Sequence, residues 1–342
     1  MTKGTLIFRI IISVLLVVTM LVTAFTTIAL VVLGTRFIHQ SGYGVFVNGI
    51  EVTRENMNDI LGDDTVWYTP SNNILHFENA NVECTAAAIY SAVDLQVELI
   101  GENKFHCKDQ SLFTTIYASD YELAKDIIIM GEGSLTIDYE NVSSSAMGIF
   151  AEDLSILTDI TIKTPNCTEM SYGIVCTSSM RVEDGANITI NNGSAKHTVG
   201  INIRGNLIVH EDAVVDITSN PGAAETGRGI ALDGDLILRN RADVKVSIND
   251  ENVVLSECIR VNGVIDANPD AKITASSKVA NAIECLGSAR LSEGVSITAN
   301  SVGSDTDFIC YGPIVHYGAT LNGEVEAIGG IHGKAGDEPA EN

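Results

Sequence analysis

Positive charge is scarce in this sequence. Only 20 of the 342 residues are Lys or Arg, against 44 that are Asp or Glu, so the formal net charge is −24. Proteins that bind nucleic acid need a basic surface that neutralises phosphates, and this charge balance therefore excludes DNA and RNA as partners. It is typical of a soluble extracellular surface whose like charges keep molecules apart.

Aromatic residues and helical periodicity are scarce as well. The chain has 1 Trp and 6% aromatic residues, which argues against a large cavity lined by aromatic rings. After the N-terminal region only Arg54–Leu61 has the period of an amphipathic helix, so leucine-rich, ankyrin and tetratricopeptide repeats are excluded. The sequence contains no Gly-Lys-Ser/Thr phosphate loop, Gly-x-Ser-x-Gly elbow or His-Glu-x-x-His motif, and we assign no catalytic residue.

A long apolar run lies near the N-terminus. Residues 10–33 contain no charged side chain, and as a helix they would extend ~36 Å, enough to cross a bilayer. The apolar part of a cleaved signal peptide is usually shorter, so we predict an uncleaved signal-anchor, with a long secretory signal as the alternative. Because Lys3 and Arg9 precede the run, we predict a cytoplasmic segment 1–9, a single transmembrane helix 10–33, a linker 34–44 and an extracellular remainder.

The remainder of the chain is a repeat. An apolar anchor residue, as in Gly200-Ile-Asn-Ile, recurs every 24 to 33 residues, with an average spacing of about 27. Each repeat contains three short stretches in which apolar and polar residues alternate, which indicates half-buried strands. The anchors are Ile89, Ile116, Ile149, Ile174, Ile201, Ile230, Ile259, Ile283 and Phe308.

Repeats of this length and pattern predict an all-β fold. We predict a right-handed single-stranded parallel β-helix of about nine coils over residues 83–330, with a β-sandwich as the alternative. The column two residues after the anchors runs from Ser91 to Cys310 and contains no charge. We therefore expect the anchors and this second column to point inward, and Ile230 and Leu232 to be nearly fully buried.

Residues 45–82 are predicted to form an N-terminal cap. The pair Asn48-Gly49 lies between two apolar stretches, which is a hairpin signal. Arg54–Leu61 is predicted to be a short helix. Such a cap would cover the open edge of the first coil. The polar residues 331–342 are predicted to be a disordered tail.

The cysteines give little sign of a metal site. There are 7 of them and no Cys-x-x-Cys motif, which argues against zinc. Cys285 and Cys310 fall in the same inward column of neighbouring coils, and such positions are close enough for a disulfide. The other cysteines show no matching pairs, so we expect free thiols that pack as small hydrophobic groups.

Acidic residues cluster at turns between the predicted strands. Closely spaced carboxylates in irregular turns suit Ca²⁺, which takes about 6–8 oxygen ligands. A solvated acidic surface is the alternative. The candidate Ca²⁺ ligands are Glu152, Asp153, Asp233 and Asp235.

Three aromatic residues, Tyr90, Tyr117 and Phe150, directly follow the anchors of successive coils. We expect them to point outward as a ladder that stacks sugar rings, because aromatic faces pack on planar apolar surfaces. The alternatives are cross-strand pairing that only stabilises the sheet and cover by the cap.

Several stretches resemble a known family. They are Val45-Phe-Val-Asn-Gly-Ile-Glu-Val-Thr, Ala88-Ile-Tyr-Ser-Ala-Val-Asp-Leu and Gly131-Glu-Gly-Ser-Leu-Thr-Ile. They are similar to the secreted β-helix carbohydrate-binding-domain proteins of clostridia. The resemblance implies a pectate-lyase-like fold that binds plant cell-wall polysaccharide, uses Ca²⁺ and has no established catalysis.

The sequence thus predicts a membrane-anchored, extracellular, polysaccharide-binding protein of the bacterial cell surface. Ca²⁺-dependent binding of an acidic or cellulosic cell-wall glycan is the finer expectation. A polysaccharide lyase or glycosidase on the same fold is the first alternative, and a structural or adhesive surface protein is the second.

Overall fold

The computed structural model describes residues 42–108, 112–119, 123–222, 225–249, 255–279, 281–302 and 304–333. The chain divides into two compact units, Met1–Gly44 and Val45–Asn342. The predicted transmembrane segment 10–33 lies outside the described residues. Within them, no helix is long and apolar enough to cross a membrane.

The described residues form 34 strands, numbered β1 to β34 in chain order, in three sheets. Sheet A contains β1 (Gly42–Val47), β2 (Ile50–Thr53), β6 (Ile89–Ser91), β9 (Leu112–Ala118), β12 (Ser145–Ala151), β15 (Met170–Cys176), β18 (His197–Ile203), β21 (Thr226–Leu232), β24 (Leu255–Val261), β27 (Ile283–Cys285), β30 (Phe308–Cys310) and β33 (Val325–Ala327). Sheet B contains β3 (Val66–Thr69), β4 (Ile74–Glu78), β7 (Leu95–Ile100), β10 (Ile127–Met130), β13 (Leu154–Ile156), β16 (Met180–Val182), β19 (Leu207–Val209), β22 (Leu236–Leu238), β25 (Ile265–Ala267), β28 (Ala289–Leu291), β31 (Ile314–His316) and β34 (Ile331–His332). Sheet C contains β5 (Asn81–Cys84), β8 (Glu102–Lys108), β11 (Ser134–Glu140), β14 (Asp159–Lys163), β17 (Asn187–Asn192), β20 (Val214–Ser219), β23 (Asp243–Ile248), β26 (Lys272–Ser277), β29 (Ser296–Ser301) and β32 (Thr320–Asn322).

Neighbouring coils pair in parallel and in register. All nine predicted anchors lie opposite one another on sheet A, from Ile89 and Ile116 at one end to Ile283 and Phe308 at the other. They delimit about eight turns, and β33 pairs with β30 beyond the last anchor. The fold is therefore a parallel β-solenoid, as the repeat predicts, and the parallel pairing of successive coils excludes the β-sandwich.

The interior of the solenoid is apolar. The anchors are fully buried, and Ile230 and Leu232 are 0% and 2% exposed, as predicted. The second column is also buried throughout, from Ser91 to Cys310. Among the described residues, every buried polar side chain belongs to Ser, Thr or Asn, so no charge is buried in the stack. Alternation along each strand directs the remaining side chains outward.

In the central coils a glycine column precedes the anchors, consisting of Gly148, Gly173, Gly200 and Gly229. A Cβ on Gly200 would lie 2.6 Å from the carbonyl oxygen of Gly229 and 2.6 Å from Cγ2 of Ile217. An aliphatic side chain of sheet C thus fills the space that a side chain on sheet A would otherwise occupy. The glycines are required for close approach of the two sheets.

Two hairpins stand at the N-terminal end. Asn48 and Gly49 have positive φ angles of 48° and 79° and join β1 to β2, as the sequence pair predicts. Strand β1 lies antiparallel to β6. Strand β3 lies antiparallel to β4, and β4 pairs in parallel with β7. Parallel stacking therefore begins already at Ile74, inside the segment predicted as a separate cap.

The prediction of a helix at Arg54–Leu61 is wrong, because this segment forms turns and bends. Asn56 Oδ1 accepts the backbone N–H of Thr53, and Asn56 Nδ2 donates to the carbonyl of Glu51. Asp59 Oδ1 accepts the N–H groups of three residues that follow it. These side-chain hydrogen bonds compete with the ladder that a helix would need.

The C-terminal boundary also differs from the prediction. Ile331–His332 form β34 and pair with β31, so the stack extends into the segment predicted as a tail. Residues 334–342 of that segment lie outside the described residues.

Candidate functional site

Sheet A carries a row of aromatic side chains on its outer surface. Strands β6, β9 and β12 place Tyr90, Tyr117 and Phe150 in register. Strand β1 adds Phe46 directly opposite Tyr90. All four side chains are half-buried and alternate with buried neighbours. We call these four residues the aromatic ladder.

Neighbouring rings of the ladder touch one another. The ring centroids are 5.7 Å apart for Tyr90 and Tyr117 and 5.3 Å apart for Tyr117 and Phe150, with interplanar angles of 32° and 36°. Rings lying flat and side by side would collide at these separations, so each ring covers part of its neighbour's face. Tyr117 is covered from both sides. The middle of the ladder is therefore a row of tilted, partly overlapping rings and not one flat strip.

The N-terminal end of the ladder opens into an apolar notch of about 290 Å³. Phe46 and Tyr90 meet there edge to face, with ring centroids 5.5 Å apart and an interplanar angle of 64°. The remaining lining is small, and consists of Gly49, Ala86 and Ala87. Aromatic surface beside small residues is the arrangement that admits a planar apolar group.

Hydrogen bonds from one side chain hold the notch together. Asn48 Nδ2 donates to the carbonyl of Glu83 at 3.0 Å, and Asn48 Oδ1 accepts the backbone N–H of Thr85 at 2.9 Å. These bonds attach the β1–β2 turn to the segment that supplies Ala86 and Ala87. The asparagine that forms the hairpin turn thus also positions both walls of the notch.

Sequence reasoning found three members of the ladder and missed Phe46. The three lie at a fixed offset from the anchors, whereas Phe46 reaches the same surface only because β1 pairs antiparallel with β6. A partial signal exists, since Phe46 is the middle residue of Val45-Phe-Val in a predicted hairpin strand. If both valines point inward, as the structure shows, the ring between them must point outward. This alternation does not indicate which residue lies beside the ring.

Two of the acidic candidates, Asp153 and Asp235, accept hydrogen bonds from backbone N–H groups of the next coil. Asp153 Oδ1 accepts the N–H of Ser179 at 2.7 Å, and Asp235 Oδ1 accepts the N–H of Val264 at 2.7 Å. Each bond joins a turn between sheets A and B to the same turn of the next coil. The side chains that form this turn ladder are Asp94, Asp126, Asp153, Ser179, Asn206 and Asp235.

The other two acidic candidates, Glu152 and Asp233, are exposed. Asp233 Oδ1 accepts a hydrogen bond from Asn262 Nδ2 at 3.0 Å. In the part of the chain that the structure describes, no group of three or more His, Cys, Asp or Glu side chains is arranged to hold a metal ion. Ca²⁺ binding at these positions stays a prediction, and the turn ladder gives Asp153 and Asp235 a structural role.

Sheet C carries a polar groove of about 670 Å³ near the N-terminal end. Lys104 Nζ lies 3.0 Å from Asp138 Oδ2, and Thr136 and Lys163 also line the groove. His106 hydrogen-bonds to Asp138, and this bond raises the pKa of the imidazole. Burial acts to raise the pKa of Asp138, but hydrogen bonds from His106 and Lys104 outweigh it and leave this pKa lowered. Two of the four charged side chains that line the groove, Lys104 and Asp138, are thus paired with each other.

Comparison with known proteins gives no assignment. No protein-family model matches the chain, and no curated protein or solved structure matches it.

Proposed function

We propose that the chain is a polysaccharide-binding β-solenoid that takes a sugar ring into the notch at the end of the aromatic ladder. The observation that carries this proposal is the position of two aromatic rings, Phe46 and Tyr90, against small residues in an open apolar notch. The resemblance of the sequence to clostridial carbohydrate-binding β-helix proteins supports the same function.

The physical basis is the chemistry of a pyranose. Its axial C–H groups form a flat apolar face, and aromatic side chains pack well against such a face. The equatorial hydroxyl groups then remain in water, so no buried polar group is left without a hydrogen bond. Because the coils repeat along the solenoid axis, a polysaccharide lying on sheet A would extend from the notch across Tyr117 and Phe150.

The finer features belong to the same proposal. We propose that the coils wind right-handed, since parallel crossover connections do so almost without exception. We also propose that residues 10–33 anchor the chain in the cell membrane with the solenoid outside. Fractionation of cells tests this: the full chain should sediment with membranes, and a mature protein released into the medium would show a cleaved signal.

Binding measurements on single variants test the proposed site. Phe46→Ala and Tyr90→Ala should each weaken binding of oligogalacturonides or cello-oligosaccharides about fivefold, which corresponds to roughly 1 kcal/mol for one aromatic stacking contact. Tyr317→Ala is the control, because it removes an exposed aromatic ring that follows β31 of sheet B at the other end of the stack and does not line the notch. If the notch variants fold and bind like the parent across all tested glycans, the notch is not the site.

Two further measurements address the alternatives. Repeating the binding assay with a chelator tests a Ca²⁺ requirement at Glu152, Asp153, Asp233 and Asp235. Release of unsaturated products or reducing ends from polygalacturonate would instead indicate a lyase or a glycosidase. A chain that binds no glycan in either condition would favour the structural or adhesive role.

A further inference from the structure

Four of the seven cysteines stand in two facing pairs. Cys84 on β5 lies opposite Cys107 on β8 in sheet C, and Cys285 on β27 lies opposite Cys310 on β30 in sheet A. All four are fully buried. The second pair was visible in the sequence, whereas the expectation that no other cysteines match is wrong. The pairing of Cys84 with Cys107 does not follow from the repeat, because β5 straddles the predicted boundary between cap and β-helix and precedes the first anchor, Ile89.

The geometry of both pairs suits a disulfide. In-register residues on neighbouring parallel strands lie about 4.8 Å apart, inside the 4.4–6.8 Å range of Cα separations found in disulfides. Both members of each pair point into the same interior, so their thiols face one another. The facing thiol of each pair raises the pKa of Cys84 and of Cys285, and burial raises it further.

Cys176 and Cys258 are also buried, but neither lies opposite another cysteine. Cys176 lies in the same inward column of sheet A, but its register partners are Ala151 and Ile203. Cys258 donates to the carbonyl of Ser276. Buried thiols are thus used elsewhere as ordinary packing groups, and only the two pairs bring sulfur next to sulfur among the described residues.

The positions of the pairs also matter. One pair joins the first two strands of sheet C, and the other joins two of the last strands of sheet A. Terminal coils have a neighbour on one side only, so a solenoid opens first at its ends. A covalent link between coils there would oppose opening where it is easiest.

We propose that Cys84–Cys107 and Cys285–Cys310 are disulfide sites that staple the two ends of the solenoid. The oxidant is a disulfide, either of a small thiol compound such as oxidised glutathione or of a thiol oxidoreductase. One thiolate attacks that disulfide and releases one reduced thiol, and the facing cysteine then displaces the second. In total two protein thiols lose two electrons and two protons, and one external disulfide becomes two thiols.

Either thiol of a facing pair can attack first, and its partner then resolves the mixed disulfide. In the C-terminal pair, Cys285 Sγ donates to the carbonyl of Ser288 at 3.6 Å, and Cys310 Sγ donates to the carbonyl of Gly287 at 3.4 Å. Because both are buried, the reaction requires opening of the terminal coil or takes place during folding.

Mass spectrometry after differential alkylation tests the proposal. The full chain is refolded in a glutathione redox buffer, alkylated under denaturing conditions, and digested without reductant. We expect peptides linked through Cys84–Cys107 and Cys285–Cys310, each 2 Da lighter than the two free peptides together, whereas Cys176 and Cys258 become alkylated. Alkylation of all seven cysteines after refolding in this buffer would overturn the proposal, as would linkage between any other pair.

A thermal measurement provides the second readout. Oxidation should raise the melting temperature of the parent by roughly 5 °C or more, as expected for closure of a loop of one coil. The variant Cys285→Ala should lose part of that rise, and Cys258→Ala, an equally buried control, should keep it. If Cys285→Ala fails to fold, Cys310→Ser serves in its place. If oxidation raises the melting temperature of Cys285→Ala as much as that of the parent and of Cys258→Ala, the proposal is wrong.

Discussion

The two ends of the solenoid are built differently. At the N-terminal end the antiparallel strands β2 and β3 close sheets A and B, and Val52, Val66 and Tyr68 are 0–3% exposed. At the C-terminal end β33 and β34 are only 3 and 2 residues long, and Ile328 and Ile331 are 61% and 48% exposed. Hairpins thus end sheets A and B on the N-terminal side, whereas among the described residues single short strands end them on the C-terminal side.

The interior also changes along the axis. The sheet C column that faces the glycine column reads Ile162, Ile190, Ile217, Val246, Ala275 and Ala299 from the N-terminal to the C-terminal side. On sheet A the glycine before the anchor gives way to Cys258 and then Ala282, both buried. The side-chain volume gained on sheet A is smaller than the volume of the branched side chains lost on sheet C. The C-terminal coils therefore bury less apolar surface, and we expect them to be less stable.

The largest expected effect on stability comes from a buried charge, and it should differ between a central coil and the terminal coil. Leu232→Asp should unfold the domain, because Leu232 is 2% exposed and has coils on both sides. Val325→Asp, in the half-buried last strand of sheet A, should leave a folded protein with a lower melting temperature. Circular dichroism during heating distinguishes the two. Equal loss of structure in both variants would contradict the contrast between centre and end.

A smaller effect is expected when the residue pair Gly200 and Ile217 of a central coil is replaced by the two alanines found in a C-terminal coil. Gly200→Ala should destabilise by about 1–3 kcal/mol, because the new methyl group would overlap Ile217 and the Gly229 carbonyl. Adding Ile217→Ala reproduces the Ala282 and Ala299 combination. The double variant should lose less stability than the sum of the two single variants in urea unfolding. Simple additivity would show that the two columns do not compensate one another.

Hydrogen exchange measures the difference between the C-terminal end and the central coils without a mutation. Amides of β27 to β31 should exchange roughly tenfold or more faster than amides of β15 to β22, because local opening requires less free energy where less apolar surface is buried. The comparison should be made under reducing conditions so that no disulfide holds either end. Uniform protection along the stack would mean that the solenoid opens only as a whole.

The smallest effect concerns pH at the N-terminal end. Because the folded-state pKa of His106 is raised, its contribution is fully present below the unfolded pKa of about 6.5 and is lost as the pH rises through the folded value. The free energy of unfolding should therefore fall as the pH rises above about 6.5, by less than about 1 kcal/mol. His106→Asn should remove this slope, and a slope unchanged in the variant would assign it to another group.

Much of the fold could be predicted because one period recurs with few exceptions. The nine anchors and the inward second column follow from alternation within strands and the spacing between coils, and the register confirms both. The helix at Arg54–Leu61 was predicted wrongly because an apolar period of one or two turns does not reveal that Asn56 and Asp59 bind the backbone. Local side-chain hydrogen bonds of that kind decide short segments.

The candidate site was predictable only in part. Tyr90, Tyr117 and Phe150 share an offset within the repeat, and that offset alone places them in one row. The notch needs Phe46, Ala86 and Ala87, which come together through an antiparallel pairing and through the hydrogen bonds of Asn48. No periodicity connects those residues, so pattern analysis could not join them.

The amino-acid sequence by itself determined which residues face the interior, because burial of a repeated apolar column leaves one register for every coil. Tertiary structure decided what the outward residues do. The tilt of the aromatic rings, the acceptor role of Asp153 and Asp235, and the meeting of Cys84 with Cys107 depend on distances between neighbouring coils. Such distances arise only when the chain has stacked, since residues one coil apart in sequence become neighbours through the sheet and not along the chain.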